Sequence, residues 1–252
     1  MSSYLGALVL LLAPAAARAQ STPASPSPST STASRFVIDV ATGIDPSVNG
    51  NVNSGAIGTL QDQAAAVLPN SYGHVYGTGV EFRFGAGYEL NDHSELRGMF
   101  IYQSADADLV RLGDVGASSL YAQYSDYKSF GLDLGYRRYF SLSSSDVRVF
   151  TEADLGAAWV GRINAQFAAP QSNIVFNSTD FYDATAAFTW SLSAGAVLKL
   201  ANQVDLTAQM GLHHVGGLSQ VDQLVGTGLE TINNDSARLT FPVVVGVRFR
   251  FK

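Results

Sequence analysis

An eight-stranded antiparallel transmembrane β-barrel, an up-and-down meander with long loops at one end and short turns at the other, is the fold class the sequence predicts. Three observations predict it. Several stretches alternate apolar and polar residues with a period of two, the side-chain repeat of a strand. Their apolar sets run for longer than an ordinary strand of about five or six residues, while the opposite sets carry charges and glycines. The connections between them alternate long and short along the whole chain. A soluble up-and-down barrel would have the reverse polarity, apolar inside and polar outside. Strands of a β-sandwich seldom hold alternation over a dozen residues.

The closing stretch shows the pattern most completely. Leu239, Phe241, Val243, Val245, Val247, Phe249 and Phe251 fall on one face, and Arg238, Thr240, Pro242, Val244, Gly246, Arg248 and Arg250 on the other. A strand greasy on one side and cationic on the other suits a barrel wall between lipid and a polar lumen.

Composition narrows the alternatives. The 252 residues carry 15 Lys plus Arg against 21 Asp plus Glu, and loss of Arg18 with a leader would take the net charge from −6 to about −7. An acidic chain is a poor nucleic-acid partner, and none is expected. Without Cys there is no disulfide framework, thiolate metal site, Cys nucleophile or lipoprotein anchor. No run outside the leader approaches the roughly 18 apolar residues of a membrane helix, so a membrane would have to be crossed by strands.

Residues 1–19 read as a secretory signal peptide, with an apolar stretch from Leu5 to Leu12 and the small-x-small pattern Ala17-Arg18-Ala19 before Gln20. Residues 20–34 form an uncharged Ser/Thr/Pro/Ala tract and read as a disordered linker. Residues 35–252 are the barrel domain.

The strands follow in order. Phe36 to Thr42 is the first. The long connection after it contains Thr59 to Leu68, read as a short helix capped by Thr59 with Asp62 three residues on and ended by Pro69. Thr78 to Leu90 sets Val80, Phe82, Phe84, Ala86, Tyr88 and Leu90 against Glu81, Arg83, Gly85, Gly87 and Glu89. Asn91-Asp92 turns the chain into His93 to Ser104. After a long connection, Tyr127 to Phe140 alternates Phe130, Leu132, Leu134 and Tyr136 with Ser129, Gly131, Asp133, Gly135 and Arg137. Ser141 to Asp146 is a turn, Val147 to Trp159 the fifth strand, and Val160 to Asp183 a third long connection. Ala184 to Leu200, the turn Ala201-Asn202-Gln203, and Val204 to Val215 complete the pattern before the last long connection and the closing strand.

The inward positions balance in sign. Asp39, Glu81, Glu89, Glu95, Asp133, Glu152, Asp154 and Asp205 face Arg83, Arg97, Arg137, Arg148, Lys199, Arg238, Arg248 and Arg250. An eight-stranded lumen is only wide enough for side chains, and isolated buried ions cost several kcal/mol, so these charges are expected to pair into a network that fills it. A narrow ion path through rearranging pairs is the alternative. The inward glycines are read as making room for the arginines.

No catalytic, metal or cofactor site is expected. Gly85-Ala-Gly87 lies within a strand and lacks the following helix that a phosphate site needs. Asn49 to Gly55 lacks convergent carboxylates for calcium and reads as a flexible turn region. Leu212-His213-His214-Val215-Gly216 faintly resembles the active-site strand of the lipid A deacylase, but no Ser stands two residues after either histidine, and both are read as lying at headgroup level. No stretch matches the lipid A palmitoyltransferase. A lipid A-modifying enzyme is therefore the third reading. The aromatics of the loops, among them Tyr72, Tyr76, Tyr121, Tyr124, Tyr127, Phe176, Phe181 and Tyr182, are read mainly as an interfacial belt.

Through its leader, Phe130-Gly-Leu-Asp-Leu-Gly-Tyr-Arg-Arg-Tyr-Phe140, Val149-Phe-Thr-Glu-Ala-Asp-Leu-Gly156 and the closing Phe241 to Phe251, the chain resembles the small bacterial outer-membrane barrels of the OmpA and OmpX type, the opacity-like group. The closing stretch is similar to their insertion signal, Phe241, Val243, Val245, Val247, Phe249 and Phe251, with Phe251 serving as terminal aromatic ahead of Lys252. The resemblance implies a monomeric, non-enzymatic protein of the bacterial outer membrane, exported through the periplasm, with a role in adhesion, recognition or envelope integrity. Its implied partners are outer-membrane lipids and lipopolysaccharide, the barrel-assembly machinery, periplasmic chaperones and a surface ligand held by the loops. Because the sequence ends with the eighth strand, cell-wall anchoring by a peptidoglycan-binding domain is not expected.

Overall fold

In the computed structural model, residues 35–141, 146–221, 227–234 and 236–251 are described. The expected leader and linker, part of the Ser141 to Asp146 turn, and Lys252 lie outside them. The elements in order are β1 (Phe36–Asn49), β2 (Asn51–Asn53), β3 (Ala56–Leu60), β4 (Gln63–Val67), β5 (Asn70–Ser71), α1 (Tyr72–Tyr76), β6 (Thr78–Asn91), β7 (Ser94–Ala105), β8 (Leu109–Val115), β9 (Ser118–Tyr124) and β10 (Tyr127–Ser141). They continue with β11 (Val147–Val160), β12 (Ile163–Ala169), β13 (Ile174–Tyr182), β14 (Thr185–Lys199), β15 (Val204–Val215), β16 (Arg238–Thr240) and β17 (Val243–Phe251).

Eight antiparallel staves close into a barrel in the order β1, β6, β7, β10, β11, β14, β15 and the β16/β17 pair, which returns to β1. The closing seam runs from Phe36 opposite Phe251 to Ile44 opposite Val243, with Asp39 opposite Arg248. The last stave is interrupted at Phe241-Pro242, because Pro242 has no N–H to give the ladder. Alternation nevertheless continues across the break, with Thr240, Pro242 and Val244 buried and Phe241 and Val245 exposed.

The outward face is apolar along the middle of the staves, with Lys128 and Arg138 towards the two ends of β10. Leu132, Leu134, Leu155, Phe188 and Met210 are all more than half exposed, which only lipid can cover at this density. No helix of the described residues is long and apolar enough to cross a membrane, and the strands take that role.

The long connections are not loose. β3, β4, β8, β9, β12 and β13 pair into a second sheet in the order β13, β12, β9, β8, β4, β3, standing on the barrel as a cap. The expected helix over Thr59 to Leu68 is a hairpin instead. Gln61 and Asp62 take φ of 49° and 62°, a two-residue turn of the kind that matches strand twist, and Leu60 pairs with Gln63. The true helix is α1, where the Ser71 hydroxyl accepts the His74 N–H at 3.2 Å. Nor is Asn49 to Gly55 a flexible turn region, because Asn51 and Asn53 pair with Ser71 and Asn70.

The cap has its own apolar core, including Val52, Val67, Leu112, Leu120, Ile163, Phe167 and Ile174. Residues 216–221 and 227–234 bond to the two edges of its sheet. Asp183 N–H, just past β13, donates to the Ser219 carbonyl at 2.9 Å, while beside β3 Thr59 N–H donates to Thr227 O at 2.7 Å and Ser54 N–H to Ile232 O at 2.6 Å.

Candidate functional site: a filled lumen under a folded cap

Strand alternation aims the charged residues inward, and closure of the barrel brings them together. At the turn end, Arg248 lies 2.5 Å from Glu95 and 3.2 Å from Glu89, and donates to the Tyr139 hydroxyl at 2.6 Å. Tyr139 in turn donates to Glu95 at 2.7 Å. Arg148 closes this end, 4.4 Å above the Tyr139 ring and 3.7 Å from Glu89. Lys199, expected inside, is exposed at the turn.

At mid-barrel Arg97 bridges Asp39 at 3.0 Å, Glu152 at 2.5 Å and Glu95 at 3.4 Å. Arg137 shares Glu152 at 2.5 Å and lies 3.7 Å over the Phe150 ring. Arg83 pairs with Glu81. Two further carboxylates are held by hydroxyls, Asp133 by Thr189 at 2.7 Å and Asp154 by Ser191 at 2.5 Å. At the cap end Gln103 links Glu81 and Asp45 at 3.0 and 2.9 Å, and Arg238 reaches Asp45 at 3.1 Å and Ser47 at 3.0 Å.

Most of the candidate lumen charges are buried, among them Asp39, Glu81, Arg83, Glu95, Arg97, Asp133, Arg137, Glu152, Asp154, Arg238 and Arg248, whereas Glu89, Arg148 and Arg250 near the turn end are part-exposed. Charges so desolvated persist only with close partners. Three inward glycines make room for carboxylates, and none for the expected arginines: a Cβ on Gly87 would meet Glu95, one on Gly135 Asp154, and one on Gly156 Asp133, whereas Gly85 gives way to Met99 and Gly195 to Phe150. Sequence reasoning missed Asp45, Tyr139, Thr189 and Ser191 as members of this network. Asp45 and Tyr139 were detectable, because each continues the inward parity of its strand; the hydroxyls carried no distinguishing signal.

Above the network the lumen is stoppered. Arg238 lies 4.4 Å over the Tyr127 ring, which meets Tyr72 and Tyr76 edge-on, with centroids 6.1 Å away in both cases. Tyr72 donates its hydroxyl to Ser236 O and Tyr76 to Ser125 O, each at 3.0 Å. Tyr124, Phe181 and Tyr182 continue the cluster into the cap. These aromatics are buried, so the interfacial-belt expectation fails for them. Burial pushes the Tyr72, Tyr76 and Tyr124 phenols above the ordinary tyrosine value, which keeps them neutral donors.

The two histidines separate. His213 is buried on the lumen side, and His214 stacks on Trp190 with centroids 5.4 Å apart and planes 12° from parallel. The headgroup-level placement thus fails for His213. Nδ1 of each ring is buried without a hydrogen-bond partner among the described residues.

No family model matches the chain, and no curated protein matches it. Solved structures do. Neisserial surface protein A aligns with a TM-score of 0.43 at 15% identity, covering 86% of this chain and 97% of its own. The outer membrane protein OprG from Pseudomonas aeruginosa gives 0.42 at 11% identity, covering 87% and 96%. The outer membrane protease OmpT from Escherichia coli gives 0.42 at 10% identity, covering 87% and 98%. From its own geometry, closed, eight-staved, apolar outside and charged within, this chain has the fold of the small bacterial outer-membrane barrels and the architecture of a protein that resides in that membrane.

Proposed function

We propose that this protein is a non-conducting, non-enzymatic stem that displays a folded cap at the bacterial surface, with a role in recognition or envelope integrity. The observation that carries the reading is the filled lumen: buried ion pairs run from Arg248 to Arg238, and the α1 tyrosines lie over their upper end. A pore of useful conductance would need a hydrated path where Arg97, Arg137 and Glu152 now interlock. The cap supports the recognition half of the reading. Its two edge strands carry Ile57 and Val175 with 84% and 64% exposure, apolar groups available to a surface ligand. On this reading the partners are lipopolysaccharide and lipids around the wall, periplasmic chaperones and assembly machinery during insertion, and a ligand at the cap.

Single-channel current through the refolded protein in a planar bilayer tests it, with Arg83→Met and Glu152→Gln alongside. The expected result is a silent, folded barrel. Discrete openings whose conductance changes in those variants would replace the stem reading with a pore.

A further inference from the structure

The cap core contains a partly open cavity. A cavity of about 220 Å³ lies between the sheet and the 227–234 segment, walled by Leu60, Leu112, Leu120 and Phe167 on one side and Leu229 and Ile232 on the other. Its polar lining residue, Thr179, directs its hydroxyl to the Asn177 carbonyl at 3.2 Å. Among the described residues, no charged side chain lines it. The wall formed by 227–234 is held in place. Thr59 and Ser54 hydrogen-bond its backbone, and Gly58 lets it approach where any Cβ would strike Thr227.

Protein interiors are otherwise packed to crystal density, and a void deprives its lining of contacts. An apolar cavity of roughly 150 Å³ stays dry and is large enough to hold benzene. We propose that the cap cavity is a binding site for a hydrocarbon group, either a small apolar molecule about the size of a substituted benzene or the end of an acyl chain. With a mainly apolar wall and no charged side chain among its described lining residues, the cavity favours apolar over ionic ligands. The site depends only on the cap and is independent of whether the cap also recognises a macromolecule.

The test is 19F NMR of fluorobenzene with the full chain refolded in lipid nanodiscs, against empty nanodiscs to remove simple partitioning. A saturable bound resonance is expected. Leu112→Trp, which fills the cavity, should abolish it while the heat-dependent gel mobility of the folded barrel is retained, and Leu132→Ala on the lipid face should leave it unchanged. If Leu112→Trp does not fold, Phe167→Ala supplies the opposite change: the enlarged cavity should bind fluoronaphthalene at least about tenfold more tightly than the parent. Competition by a lysophospholipid with a terminal trifluoromethyl group would assign the occupant as an acyl chain, and lack of competition as a free small molecule. The proposal is overturned by the absence of a saturable resonance, by one that survives Leu112→Trp, or by a Phe167→Ala variant with no gain.

Discussion

The barrel wall and the cap are built from the same alternating strands with opposite meanings. In β10 the apolar Leu132 and Leu134 are exposed while Asp133 is buried at 2%. In β8, Val110 and Leu112 are buried while Arg111 is exposed and pairs with Asp114 at the surface, 2.7 Å away. The difference is the solvent outside each region: lipid rewards exposed methyl groups, water rewards exposed charge. A period of two identifies a strand without saying which face is interior. That is decided by the medium and by the partner that closes the other side.

Removing a lumen cation sets the two halves furthest apart. Arg97→Met should cost about 3–5 kcal/mol, because Asp39 and Glu152 are left buried without their bridge. Removing Arg111 from the exposed pair in the cap should cost about 1 kcal/mol or less. Reversible urea unfolding in lipid vesicles, followed by tryptophan fluorescence, measures both. Equal losses would mean that the lumen is hydrated and the contrast false.

A cation placed on the outer face probes the surrounding medium directly. Leu132→Arg should destabilise by about 2–4 kcal/mol if that position lies near the bilayer midplane. Tyr121→Arg, on the outward face of the cap, should fall within about 0.5 kcal/mol of the parent. A comparable cost at both positions would place the cap in lipid.

The smallest effect concerns the turn that replaced the expected helix. Gln61→Asn with Asp62→Gly suits a turn whose central residues both have positive φ and should raise the cap's local stability by about 0.5–1 kcal/mol, read as slower amide exchange across β3 and β4. A helix there would lose stability instead, since glycine costs about 1 kcal/mol in a helix interior.

Legibility in the sequence follows the same divide. The staves could be read because their alternation is long and their polarity extreme, as in Thr78 to Leu90, where Glu81 and Arg83 are buried and Val80, Phe82 and Phe84 exposed. The cap could not be read because the parity shifts where the chain leaves the barrel. Inward residues are odd-numbered through Gln103 and Ala105 but even-numbered at Val110 and Leu112, and even-numbered at Ala158 and Val160 but odd-numbered at Ile163 and Ala165. Each shift flips the strand's faces, so a continuous strand pair resembles a stave ending in a loop. Short strands rich in Ala and Gly then offer little contrast between faces. The tyrosines are not legible in the sequence because their ring chemistry suits an interface and a buried stopper equally well; which one applies depends on α1 lying within the cap.

The contact of residues 227–234 with the start of the cap has a kinetic side. Ser54 and Asn234 meet through a 3.3 Å side-chain hydrogen bond although 180 residues separate them. Contacts of such high order form only after the intervening chain has been brought close, at an entropic cost that local hairpins do not bear. Assembly of the cap's individual hairpins can therefore run ahead, while its seam waits for both ends of the polypeptide to meet. Until then the edges of β3 and β13 stand open, which makes the interval between barrel closure and cap sealing the time when a protease or a second unfolded chain finds this protein most vulnerable.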